Sequence, residues 1–245
     1  MDSQHPWKHS VIDVYANNYG NMMQDYLSLV VEPSIQMLHR RSSELMACHE
    51  VDALIKSLQM LEHFTLEQKT AMAFCLGIQS LWEQHIRTYT ISCLRDFHTR
   101  DVPEDQLAAE LAKKIESAEK APWGSRFNAL FLEARGIELE GFQSYDQLSL
   151  LMALGNVCRH GEGDAAIRLR KSHPELWPAP MPLLEEHFGT RPVTDLRLSL
   201  ELLRSLVIAV VLFWRDLERH GLKSFMHDRT DAEIETLLSN RVCAK

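Results

Sequence analysis

The chain has 245 residues, of which 45% are hydrophobic and 24% charged, with a formal net charge of −8. That balance excludes a disordered chain, and ten glycines and nine prolines are too few for a collagen-like or linker-rich one. The acidity argues against a broad basic surface for nucleic acid or anionic lipid and leaves room for a local basic patch.

Taken in chain order, the pattern is helical nearly throughout. No stretch sustains a period-two alternation, and no Asn-Gly or Asp-Gly hairpin turn occurs. Met1 to Tyr15 has charges and no continuous apolar stretch, so it does not read as a signal peptide. Helices are predicted over 11–31 and 34–60, parted near Pro33. Thr65-Leu66-Glu67-Gln68 reads as a capping box opening a long helix to about Phe97. Met72, Cys75, Trp82, Ile86, Tyr89 and Cys93 form one stripe along it. Shorter helices are predicted over 104–117 and 127–134. A second capping box, Ser144-Tyr145-Asp146-Gln147, opens the next helix. The region 161–192, with Gly161, Gly163, Pro174, Pro178, Pro180, Pro182, Gly189 and Pro192, is predicted as a partly irregular excursion.

The clearest helix is predicted from about Thr194 to His220. Leu196, Leu200, Leu203, Val207, Val210, Trp214 and Leu217 make one seam, and Leu198, Leu202, Leu206, Ala209 and Phe213 broaden it. Such a helix is either the centre of a bundle, the preferred reading, or part of a dimer interface. Gly221 is placed where a glycine would stop it. Thr230-Asp231-Ala232-Glu233 opens the last helix. The longest apolar run, Leu206–Trp214, is shorter than the roughly 18–20 residues a membrane span needs, so no membrane partner is expected. The expected architecture is a single all-α domain over 1–245. It is a helical bundle with a long central helix (about 194–220) and an irregular loop excursion (about 161–192). The helices of 1–62 are an extension on a bundle spanning 65–241.

The chain lacks a phosphate-binding loop, a dinucleotide fingerprint, a His-Glu-x-x-His zinc motif and a nucleophile elbow. Five cysteines, Cys48, Cys75, Cys93, Cys158 and Cys243, show no Cys-x-x-Cys pair. They predict reduced thiols and a cytoplasmic location. His5 and His9 have an i, i+4 spacing in a terminal segment, and neither a metal site nor a cofactor is expected.

The segment 151–164 carries the chemistry. Leu151, Leu154 and Val157 fasten a helix to the core, while Asn156, Arg159 and His160 fall on a neighbouring polar stripe. Gly161 ends the helix, and the dipole there favours a cationic imidazole. A basic run follows, Arg168, Arg170, Lys171 and His173, with Arg168, Arg170 and Lys171 as candidate phosphate contacts.

Asn156-x-x-x-His160-Gly161 at the end of an amphipathic helix resembles the motif of the HEPN superfamily, all-α domains of prokaryotic toxins, defence proteins and nucleotide-handling proteins. The family motif is an arginine, a polar residue (often Asn), three variable residues and a histidine, often followed by glycine. The segment 71–97 is similar to the preceding long bundle helix of that family. The resemblance implies a four- to five-helix bundle, frequent dimerisation and metal-independent RNA cleavage. RNA or a nucleotide would be the ligand, and a protein partner or antitoxin would accompany it.

The position of the family's arginine holds Gly155 here, and Arg159 lies about 6 Å further along the axis. The resemblance makes His160 the acid or base, Arg159 the charge stabiliser and Asn156 an orienting group. Glu83 would fix the imidazole tautomer, or else pair with Arg87. Arg215-Asp216-x-x-Arg219-His220-Gly221 fits the complete motif as a second candidate, with a solvated helix end as the alternative. Three functions stay open: a HEPN-like ribonuclease, a non-catalytic binding module and a structural helical oligomer.

Overall fold

The computed structural model describes residues 7–8, 10–47, 52–101, 104–178, 189, 191–226 and 228–242. His5, His9, Cys48, Cys243, Pro180 and Pro182 lie outside the described residues. Among the described residues there is no strand, and the fold is all-α. A 3₁₀ turn over Val11–Tyr15 leads into α1 (Asn17–Tyr26), a π turn over Leu27–Val31 and α2 (Glu32–Ala47). The chain continues through α3 (Ala53–Asp101), α4 (Glu104–Lys120), α5 (Ser125–Arg135), α6 (Tyr145–His160) and α7 (Asp164–Ser172), then α8 (Leu200–Phe225) and α9 (Asp231–Val242).

Contacts divide the chain into two compact units. The first draws on 1–23, 81–149 and 208–245, and the second on 24–80 and 150–207. The first is built on aromatic packing. Trp82 and Trp214 are fully buried with ring centroids 5.7 Å apart, and Phe213 meets Trp82 edge-on at 4.8 Å.

Within that core lies a buried ion pair. Arg135, at the C-terminus of α5, donates from one nitrogen to both Asp13 oxygens at 2.7 and 2.6 Å. The remaining acceptor capacity of Asp13 is met by the Trp7 indole at 3.1 Å, the Tyr89 hydroxyl at 2.5 Å and the Ser10 amide at 3.0 Å. The Arg135 guanidinium also lies 3.9 Å from the Trp7 ring centroid. A charge removed from water is tolerable only when an opposite charge and hydrogen bonds meet it. Burial, reinforced by Cys93 and Asp13 and opposed by Arg135, pushes the Tyr89 hydroxyl well above its ordinary range, so it stays a donor.

In the second unit Leu27, Val31 and Ile35, Cys75 and Ile78 of α3, Leu151, Leu154 and Val157 of α6, and Leu203, Leu206 and Val207 of α8 are all buried. The segments flanking 179–188 are tied together by backbone and side chain. The Arg197 amide donates to the Leu176 carbonyl at 2.7 Å, and the Trp177 indole to the Pro192 carbonyl at 3.1 Å.

Several boundaries differ from the sequence reading. Helix α3 runs unbroken for 49 residues through the expected start at Thr65. The Thr65 hydroxyl turns back to the Leu61 carbonyl at 2.9 Å instead of capping, because nothing in 53–64 interrupts the helix. The chain also stays helical at Pro33. The wider π turn bonds the Glu32 amide to the Leu27 carbonyl, and Pro33 sits in the first turn of α2. The 34–60 helix is instead two helices.

The long helix begins at Leu200, not Thr194, and passes through Gly221 to Phe225. Gly221 is not a stop: a Cβ there would lie 2.7 Å from the Cβ of Asp13, so close packing requires the glycine. The excursion contains α7 and a 3₁₀ turn at Pro174–Leu176. Helix α6 begins directly after Ser144, but the capping box read there does not form, since the buried Ser144 hydroxyl has no hydrogen-bond partner among the described residues. The Thr230 box forms as read, with the Thr230 amide donating to Glu233 at 2.8 Å. The apolar seam is spent inside the chain: Leu196, Leu203, Val207, Val210, Trp214 and Leu217 are all fully buried. It is core rather than an exposed interface.

Replacing Asp13 by Ala strands the Arg135 charge and lowers stability by about 3–5 kcal/mol in urea titration. Adding Arg135→Met to that variant recovers most of the loss.

Candidate functional site

The site is built on the C-terminal half of α6. Leu151, Leu154 and Val157 are fully buried and fix the rotation of the helix. Gly161 adopts φ +69° and its amide bonds the Val157 carbonyl at 2.9 Å. That left-handed residue ends the helix where the sequence places the end. With the apolar stripe inward, Asn156, Arg159 and His160 are exposed.

Arg159 is anchored from below. Its guanidinium donates to the side-chain carbonyl of Gln79 on α3 at 3.0 Å. Gln79 is 1% exposed, and its amide nitrogen lies 3.7 Å from the Met152 sulfur. The stem of Gln79 passes over Gly155. A Cβ at 155 would lie 2.4 Å from Gln79 Cγ and 2.8 Å from Gln79 Cβ. No side chain fits at 155 as packed, an arginine least of all. The cation of this helix end is therefore Arg159. The side chains of Asn156 and His160 make no hydrogen bond among the described residues.

Sequence reading missed Gln79. Its signal was present: counted in steps of three and four, it falls on the stripe of Cys75, Trp82 and Ile86. A polar residue in a buried stripe needs a partner, and Arg159 is that partner.

The basic run on α7 separates into two kinds of cation. Arg170 is committed, with one nitrogen donating to both Glu162 oxygens at 2.7 and 2.8 Å and its guanidinium 5.2 Å from the Trp177 ring centroid. Glu162 also accepts from the Val193 amide. The Arg170 hydrogen bond, opposed by burial, holds the Glu162 carboxyl below its usual range. This clasp closes the excursion, so Arg170 serves structure. Arg168 and Lys171 are exposed, with no ion pair among the described residues. His173 Nδ1 lies 3.0 Å from a Glu175 oxygen.

The remaining candidates belong to the first unit. Glu83 accepts from Arg87 at 3.2 and 2.7 Å, and Arg87 also donates to the carbonyls of Ala118 and Ala121 at 2.7 and 2.8 Å. That pair joins α3 to the end of α4. Arg215 lies 3.8 Å from Glu235 on α9, and Arg219 bonds both Asp216 and Glu235. The His220 ring stacks on Trp7 at 5.2 Å and meets Phe142 edge-on at 5.6 Å. Arg215 and His220 thus take part in packing α9 and the N-terminal segment. Among the described residues no group of three His, Cys, Asp or Glu side chains could hold a metal ion, and no helix is long and apolar enough to cross a membrane.

The chain matches no family model, and no curated protein or solved structure is similar to it.

Gly155→Ala collides with Gln79 and lowers stability by about 1–3 kcal/mol in thermal or urea unfolding. Gln79→Ala in the same chain removes the collision, so the two changes together cost less than their sum.

Proposed function

We propose that the end of α6 is an anion-binding site of a HEPN-like module, with RNA phosphate as its ligand. The anchored arginine carries this reading: the buried Gln79 carbonyl accepts from one Nη of Arg159 and leaves the rest of the exposed guanidinium to meet a phosphate. Exposed Asn156 and His160 on the same helix end, and exposed Arg168 and Lys171 on α7, add donors of the right kind. The net charge of −8 favours a confined site over a long groove. A cytoplasmic location, homodimerisation and a protein partner such as an antidote belong to the same proposal.

A second reading, metal-independent RNA cleavage in a toxin or defence protein, is favoured by one observation: His160 is exposed beside Arg159. There His160 would take the proton of a ribose 2′-hydroxyl or protonate the leaving oxygen, and Arg159 would hold the charge developing on phosphate. Closure of position 155 against an arginine favours binding over cleavage.

Fluorescence anisotropy with labelled single-stranded RNA tests both. Arg159→Ala weakens binding roughly tenfold, about 1.4 kcal/mol, and lowers the salt slope by about one. Arg170→Ala, which removes a cation already held by Glu162, has a smaller effect on affinity. Equal affinity of wild type and Arg159→Ala overturns the binding reading. Shortened RNA with wild type but not with His160→Ala establishes cleavage.

A further inference from the structure

The first turns of α3 leave an apolar face bare. Leu54, Leu58 and Leu61 follow a 4-3 spacing, with Ile55 flanking them on one side and Phe64 on the other. Each of the five is between 50 and 69% exposed. Helix α2 does not cover this face, because it packs on the other side of α3. There His63 Nε2 lies 2.8 Å from the Leu38 carbonyl oxygen, and Lys56 Nζ donates to the Met46 carbonyl at 2.6 Å. Counted at about 100° per residue, both side chains lie across the helix axis from Leu58. Ile167 on α7 is as exposed, but the residues one turn from it are Asp164, Arg170 and Lys171, so it forms no such face.

We propose that this leucine face is a homodimer interface, and that its occupant is the same face of a second copy of the chain. The spacing fits that occupant. Leucines that recur at 4-3 intervals interdigitate with a seam of the same spacing, and a two-fold axis brings each leucine against its counterpart's seam. The area fits as well. Five large apolar side chains at this exposure present a patch on the order of 500 Å², as large as a monomer ordinarily shows. Two such patches face to face bury on the order of 1,000 Å² of apolar surface, and with their polar rim they reach the roughly 1,200–2,000 Å² of a stable interface.

Charge selects the same occupant. Two copies of a chain with net charge −8 repel over most of their surface, so they can join only where few like charges meet. Over residues 53–68 the charged side chains are Lys56, Glu62 and Glu67. By their spacing Lys56 and Glu67 fall on the α2 side, and Glu62 flanks the leucines. A membrane surface fits less well, because an interfacial helix carries lysines and arginines beside its apolar face. The inference supplies the homodimerisation proposed above with a surface, after the 196–217 seam proved to be core. It does not rest on the anion site.

The test is sedimentation equilibrium on the full chain at micromolar concentration, without RNA. The wild-type chain sediments at twice its monomer mass. Leu58→Glu and Leu61→Glu each raise the dimer dissociation constant roughly a hundredfold or more, since the two-fold axis makes every substitution count twice. Helical circular dichroism is unchanged, because both positions face water in the monomer. The double change Leu58→Ala, Leu61→Ala adds no charge and favours the helix, and it weakens the dimer too. Ile167→Glu leaves the dimer intact. A monomeric wild type overturns the proposal, as does a dimer that survives the Leu58 and Leu61 changes or one that Ile167→Glu dissociates equally. A monomer that floats with phosphatidylcholine vesicles, and stops doing so with Leu58→Glu, overturns it in favour of a membrane surface. None of these outcomes bears on RNA affinity, so failure here is distinct from failure of the anion site.

Discussion

A glutamine buried between helices must have its amide satisfied, and in the second unit that requirement organises the candidate site. Gln79 is 1% exposed. Its stem needs the space above Gly155, its nitrogen meets Met152, and its carbonyl takes a hydrogen bond from Arg159. An unsatisfied buried amide carbonyl would cost about 1–3 kcal/mol, so Arg159 is held in place by the core.

The first unit meets the same physical demand with a full charge. Arg135 is fully buried, and Asp13 neutralises it while accepting from Trp7, Tyr89 and the Ser10 amide. Those partners come from the N-terminal segment, α3 and α5, so one carboxylate holds distant parts of the chain together. Asp13 also decides the identity of residue 221, where only a glycine leaves room for it. Both units thus place a glycine where a buried polar side chain crosses a helix.

The cations of this acidic chain divide by their partners. Arg87, Arg135, Arg170 and Arg219 are each paired with a carboxylate and serve packing. Arg159 is bound to a neutral amide, which positions its guanidinium without neutralising it. That distinction, invisible in net charge, is what supports an anion site at the end of α6.

The sequence by itself determined what depends on near neighbours along the chain. The helical character, the stop at Gly161, the start at Thr230 and the burial of the 196–217 seam were all legible, because helix caps and the 3.6-residue period are local properties. The length of α3 and the passage through Pro33 were misread because a cap signature and a proline are weak signals beside continued helical packing. The placement of Asn156, Arg159 and His160 on an exposed face followed from spacing alone. Only the tertiary structure decided why residue 155 is glycine and what Arg159 rests on. Gln79 and Arg159 are 80 residues apart. Their contact arises where two helices cross, at a distance along the chain that no local period records.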